Sequence, residues 1–266
     1  MPKPPKQPSK KGRGPEHLFH SWATVARRIH SARVLVLFLD FDGTLVPLRQ
    51  KPKEVFLDRS VRRLLNRLAA HPRVVLCFIS GRQLSDLRQR TGVEGALYFG
   101  LHGWERSNGK PGLIQGVVRL HEARRWLEGQ VRGLTGIRIE DKGVCFGVHY
   151  RGAPDSSIKQ TKIAVEKTMA RLGSDFRLMA GKKIWEIYPK DMGTKGTAVQ
   201  DLLKQIPGRK LTIYAGDDAT DETAFAQLRG GVTIHVGDAK QTHANFFLED
   251  PSEVLMFLKK LEGAIG

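Results

Sequence analysis

The stretch VLVLFLDFDGTL, residues 34–45, constrains this chain more than any other. Its first half is an unbroken apolar run without alternation, which is how a central parallel strand covered on both faces reads. It ends in Asp40-Phe41-Asp42-Gly43-Thr44-Leu45, two carboxylates one residue apart followed by glycine. Ligands of open α/β sheets bind at the carboxyl ends of strands, so both groups are aimed at a site. Adjacent anions in a cleft repel unless a cation compensates them. Mg²⁺, which takes one or two carboxylates together with phosphate and water, is the natural choice. An Asp-Gly turn after a strand has the same local letters, so the pattern needs support from elsewhere in the chain.

Support comes from the periodicity. Residues 17–31 place Leu18, Trp22, Val25, Ala26 and Ile29 at helical spacing, and 60–71 do the same with Val61, Leu64, Leu65 and Leu68. VVLCFIS follows as a second buried strand, a helix over 83–90 comes next, and ALYFGLHG (96–103) is a third strand. After position 191 the alternation resumes: a helix over 194–205, the strand LTIYAGDD, a helix over 221–228 and the strand GVTIHVG. Strand and helix in turn predict a doubly wound α/β sheet. The middle differs. A helix over 119–132 leads to the alternating strands IRIEDK and CFGVHYR, and a helix over 156–172 leads to FRLMA and KKIWEIYP. This doubled helix–strand–strand unit predicts an α+β cap over 110–191, inserted between core segments 16–109 and 192–266. The Pro- and Lys-rich residues 1–15 read as a disordered basic tail.

Three more clusters sit where the alternation breaks. In Ser80-Gly81-Arg82, a hydroxyl, a backbone N–H and a helix start can hold a phosphate oxygen, or Ser80 can simply cap the helix. Lys195 opens the helix after the cap and could neutralise the same phosphate. Gly216-Asp217-Asp218-Ala219-Thr220-Asp221 brings three further carboxylates to a strand end, which a shared metal or the helix dipole would explain.

Acid pair, hydroxyl, lysine, acid cluster: in that order the chain resembles the haloacid dehalogenase (HAD) superfamily of phosphatases. The resemblance implies a HAD-like Rossmannoid core with a C2-type cap. In it Asp40 is the nucleophile, Asp42 the acid and base, and Thr44, Ser80 and Lys195 hold the phosphate. Mg²⁺ would bind Asp40, Asp217 and the backbone carbonyl of Asp42, with Asp218 and Asp221 in support. Four stretches narrow the resemblance to trehalose-6-phosphate phosphatases: Gly100-Leu101-His102-Gly103-Trp104-Glu105, Glu140-Asp141-Lys142-Gly143, Val148-His149-Tyr150-Arg151 and Gly181-Lys182-Lys183-Ile184-Trp185-Glu186. Gly81, Arg82, His102, Glu140, Lys142 and Glu186 then join Thr44 at the substrate. Glu140 and Lys142 share one strand face and could also flank an exposed edge, whereas Glu186 in an apolar strand would be costly without a partner. Phe41 stands where family members often have tyrosine. None of these residues reads as a synthase domain, so coupling to trehalose phosphate synthesis is expected to need a separate protein.

Composition bounds the alternatives. Cys77 and Cys145 lie in apolar strand-like runs and read as buried, inert thiols without zinc spacing. The apolar run 34–39 falls far short of the ~20 residues that span a bilayer. The N-terminus lacks the apolar segment of a secretory signal. The expected setting is therefore the cytoplasm. The net charge of +17 suits an anionic substrate or weak nucleic-acid binding, but no aromatic stripe interleaves the cations, which disfavours nucleic acid as the partner. The competing enzymatic reading keeps the same core and takes sucrose phosphate, mannosyl phosphoglycerate or a hexose phosphate. A catalytically dead sugar-phosphate sensor would lack competent residues at the catalytic positions, which this chain has.

Overall fold

In the computed structural model, which describes residues 14–49, 55–107, 116–239 and 241–266, the chain builds two sheets. It runs through β1 (Glu16–His17), α1 (Trp22–Ser31), β2 (Val34–Leu39), α2 (Arg59–Ala70), β3 (Val74–Ile79), α3 (Leu84–Thr91), β4 (Leu97–Gly100) and β5 (Glu105–Arg106). Then come α4 (Val117–Val131), β6 (Arg138–Asp141), β7 (Phe146–His149), α5 (Asp155–Leu172), β8 (Phe176–Gly181) and β9 (Ile184–Pro189). It closes with α6 (Lys195–Gln205), β10 (Lys210–Gly216), α7 (Ala219–Gln227), β11 (Val232–Val236), β12 (Phe246–Leu248) and α8 (Pro251–Ile265).

The larger sheet has eight strands in the order β1-β12-β11-β10-β2-β3-β4-β5, parallel except for the last pair. The apolar run ends up at its centre because each face has its own cover. Leu35, Leu37 and Leu39 pack with α1, α2 and α8, while Val36 and Phe38 pack with α6 and α7. The second sheet, β6-β7-β9-β8, is antiparallel and lies within the excursion from α4 to β9. Alternation sorts its faces. Phe146, Val148 and Ile187 pack against Leu120 and Leu127 of α4 and Val165 of α5, leaving Gly147, His149, Ile184 and Glu186 for the other face. The expected tail lies outside the described residues over 1–13, as does the expected start of the cap near 110.

Three findings go beyond the sequence reading. The C-terminal segment forms β12 and α8. Asp250 caps that helix by accepting from the amides of Ser252 and Glu253, Pro251 sits at its first turn, and Val254, Phe257, Leu258 and Leu261 face the core. Its end is tied in by Arg73, whose guanidinium donates to the carbonyls of Ile265 (3.1 Å), Ile29 (2.9 Å) and Ala32 (2.5 Å), a cation matched to two helix C-termini. The third difference is in ALYFGLHG. The strand stops at Gly100, and Leu101 and His102 turn into the left-handed region (φ 47° and 59°). A buried hydrogen bond of His102, described below, holds that turn against its local cost. Both cysteines are buried, and burial pushes the Cys145 thiol up to about 12.

Candidate active site

Register brings the motifs together. Leu39 of β2 pairs with Ala215 of β10 and with Phe78 of β3, so Asp40, Ser80 and Asp217 leave neighbouring parallel strands at the same level. Gly43 completes the approach. It has φ 83°, and a Cβ there would stand 2.0 Å from Asp217 Oδ2, so only glycine lets the loop after Asp40 lie against Asp217.

Lys195, 2% exposed, is held between two carboxylates: its Nζ donates to Asp40 Oδ1 at 2.9 Å and Asp221 Oδ1 at 2.8 Å. Asp221 is saturated. Its Oδ1 also accepts from Tyr214 Oη (2.7 Å), and its Oδ2 from the amides of Asp217 (3.1 Å) and Asp218 (3.0 Å). It is fully buried and anchors Lys195. Carboxylate oxygens of Asp40, Asp217 and Asp221 lie within 4.8 Å of one another. Burial raises the Asp40 carboxyl well above its ordinary range; Lys195 opposes this, and Asp221 and Asp217 add to it. Asp217 is likewise pushed up to about 6 by burial, against the pull of Lys182. Raised carboxylates mark an excess of buried negative charge. Hard oxygen donors with that excess fit a divalent cation such as Mg²⁺, with Asp40 and Asp217, which line the cleft, as the available ligands.

The remaining predicted residues differ in where their side chains go. Asp42 lines the cleft but stands apart from the acidic trio: Arg82 grips it with Nε and Nη2 at 2.5 and 2.6 Å and also reaches Asp86 at 2.7 Å. Ser80 and Gly81 line the same wall. Thr44 is fully buried, and its hydroxyl points to Asp217 Oδ1 at 3.5 Å, so the group expected at a phosphate oxygen supports a carboxylate here. Asp218 caps α7, accepting from the Ala219 amide at 2.7 Å.

Across the cleft, the second sheet contributes a buried relay. Glu186 Oε1 accepts from Lys142 Nζ at 2.6 Å, and its Oε2 bonds His102 Nε2 at 2.9 Å. Lys142 also donates to the Gly81 carbonyl at 2.8 Å. Burial alone would raise Glu186, but Lys142 and His102 together hold it well below the carboxylate range, and Lys142 in turn stays firmly charged. Glu140 bonds His149 at 2.8 Å and is held down at about 2, first by that bond. Sequence reasoning gave no role to Lys182. At the β8–β9 turn its Nζ reaches Asp217 Oδ2 at 2.5 Å. The readable signal was a cation at a hairpin tip, four positions before Glu186.

Both walls face one cavity of ≈ 520 Å³. The trehalose-phosphatase family model matches residues 38–252. The chain belongs to that family. A trehalose 6-phosphate phosphatase of Zea mays is 30% identical, the match covering 87% of this chain and 71% of the maize protein. An uncharacterized glycosyl hydrolase of Mycobacterium tuberculosis is 33% identical over 88% of this chain, which spans only 19% of that relative's length. Among solved structures, the C. albicans trehalose-6-phosphate phosphatase C-terminal domain superposes with a TM-score of 0.83 over 96% of this chain and 100% of the domain, a likeness of fold at 23% identity. A trehalose-6-phosphate phosphatase related protein is 28% identical with a TM-score of 0.71, covering 86% of this chain and 97% of its own. The fold is that of these neighbours, a mixed α/β core with a mostly parallel central sheet and a cap domain. Among the described residues no helix is long and apolar enough to cross a membrane.

Proposed function

We propose that this chain hydrolyses trehalose 6-phosphate to trehalose and phosphate through an aspartyl-phosphate on Asp40. The observation that carries the reading is a single cleft lined both by Asp40, Asp217 and Lys195 and by Glu140, Lys142 and Glu186. The first set suits phosphoryl transfer, the second a polyhydroxylated leaving group. Asp40 attacks phosphorus, and the P–O bond to the sugar breaks as Asp42, released by Arg82 as it turns to the phosphate and protonated from solvent, gives its proton to the departing oxygen. Asp42 then takes a proton from water, which attacks the acyl phosphate and frees phosphate and Asp40. Lys195, fixed by Asp221, balances the charge at Asp40 throughout. Asp40 and Asp217, with the Asp42 carbonyl, would hold Mg²⁺, which when bound supplies positive charge to the phosphoryl oxygens. Arg82, Ser80 and Gly81 line the wall on which the phosphate would sit. The cap wall excludes water and reads the sugar. The setting consistent with this chemistry is cytoplasmic, with the substrate supplied by a separate synthase.

Phosphate release from trehalose, sucrose, glucose and mannose phosphates tests the reading. Trehalose 6-phosphate is expected to be the best substrate with Mg²⁺ and to lose turnover with EDTA. A better rate on another ester would keep the aspartate chemistry and remove the sugar assignment.

Glu186→Gln tests the cap wall. A gripped hydroxyl acceptor lost from a buried site is expected to lower kcat/KM on trehalose 6-phosphate by about 10²-fold or more. Hydrolysis of 4-nitrophenyl phosphate should change by no more than a few fold. Equal losses on both esters would mean that Glu186 only joins cap to core.

A further inference from the structure

Glycine inside a strand weakens it and often marks a place where something else approaches closely. Gly147 is such a residue, in the middle of β7, and its φ lies outside the left-handed region. The backbone therefore does not require glycine, and the reason must be space. Register shows whose space it is. Gly147 pairs with Glu140 on one side and Glu186 on the other, so the three form one rung of the sheet, all facing the cleft. Neighbouring strands lie roughly 4.8 Å apart, which leaves roughly 10 Å between the two carboxylate-bearing strands with no side chain rising between them.

That gap has a defined floor. A Cβ on Gly147 would stand 2.8 Å from Ile184 Cδ1 and 3.7 Å from His149 Nε2. Ile184 lines the cleft, and Gly147 is buried beneath its methyl end. Both walls are fixed: Glu140 by His149, and Glu186 by Lys142 and His102. An apolar floor between two acceptor walls matches a pyranose ring, whose face presents C–H bonds and whose rim presents hydroxyls.

We propose that Gly147 and Ile184 together set the specificity of the site, Gly147 letting Ile184 lie low enough to form the floor on which the leaving group's pyranose ring rests between Glu140 and Glu186. The inference rests on the sugar-phosphate reading above. A side chain at 147 forces the Ile184 methyl end to move, and the only displacement that crowds the ring is into the slot; Asp40 and its neighbours are not touched.

The test is Gly147→Val, which a strand interior accepts readily, with Gly147→Ala as the milder variant and melting curves for each. Kinetics on trehalose 6-phosphate and 4-nitrophenyl phosphate are measured side by side. Crowding a pocket by a few methyl groups is expected to lower kcat/KM on the sugar ester about 10–200-fold, mainly through KM. Turnover of the small ester should stay within about threefold. Adding Ile184→Ala to Gly147→Val removes as many carbons as valine adds and leaves the valine methyls in place of the Ile184 floor, so most of the loss should return. Unchanged sugar-ester kinetics, equal losses on both esters, or no rescue would overturn the proposal. If the wild-type protein prefers another sugar phosphate, the ratios are read on that ester. The floor is then judged separately from the trehalose assignment.

Discussion

Asp40→Asn is expected to lower phosphate release by about 10⁴-fold or more, the scale seen when a covalent nucleophile is removed, while leaving the melting temperature unchanged or higher. The two halves of that expectation come from the same burial. Asp40 is 4% exposed and its carboxyl is raised above the ordinary value. A group whose folded pKa exceeds its unfolded pKa favours the fold most at low pH and loses that contribution as pH rises through the folded value. Wherever the buried carboxylate is charged it costs the fold, and a neutral amide of the same shape removes that cost. Lys195 keeps Asp221 as a partner. Phosphate release and thermal melts on the same preparations check both halves. Substantial turnover by the variant would remove Asp40 as the nucleophile. A lower melting temperature would show that the Lys195 contact outweighs the burial cost.

Lys195→Met should carry the largest stability loss of any single change at the site. The ammonium is 2% exposed and serves two buried carboxylates at 2.9 and 2.8 Å. Removing one partner of such an array leaves uncompensated buried charge, a cost of about 3–5 kcal/mol. For a chain of this size that lowers the melting point by roughly 6–20 °C. Phosphate release should fall with it. The double variant Asp40→Asn with Lys195→Met separates charge from shape. With one carboxylate neutralised, a large part of the lost stability should return, but none of the activity. Additive losses in that cycle would mean that Lys195 acts through packing.

The central strand, the four chemical clusters and their order were legible because each depends on neighbours in sequence. An apolar run without alternation has to be covered on both faces, and carboxylates at its end have to face the sheet's edge. The cap's strands could be read for the same reason, since Phe146 and Val148 alternate with cleft-facing positions. The C-terminal helix carried an equally clear Asp-Pro start and apolar spacing.

Contacts between segments distant in sequence could not be read in this way. Thr44 turns to Asp217 because the Gly43 loop lies within van der Waals reach of that carboxylate, and Asp42 turns to Arg82 because two chain segments far apart in sequence share one wall. His102 leaves the strand that its sequence favours because a buried carboxylate on the other sheet holds its ring. Lys182 meets Asp217 from a hairpin whose tip only the docking of the two sheets can aim. The sequence determined which groups exist and which strand ends carry them. Tertiary structure decided which charge neutralises which, because buried ionic contacts depend on distances of a few ångströms that no local pattern fixes.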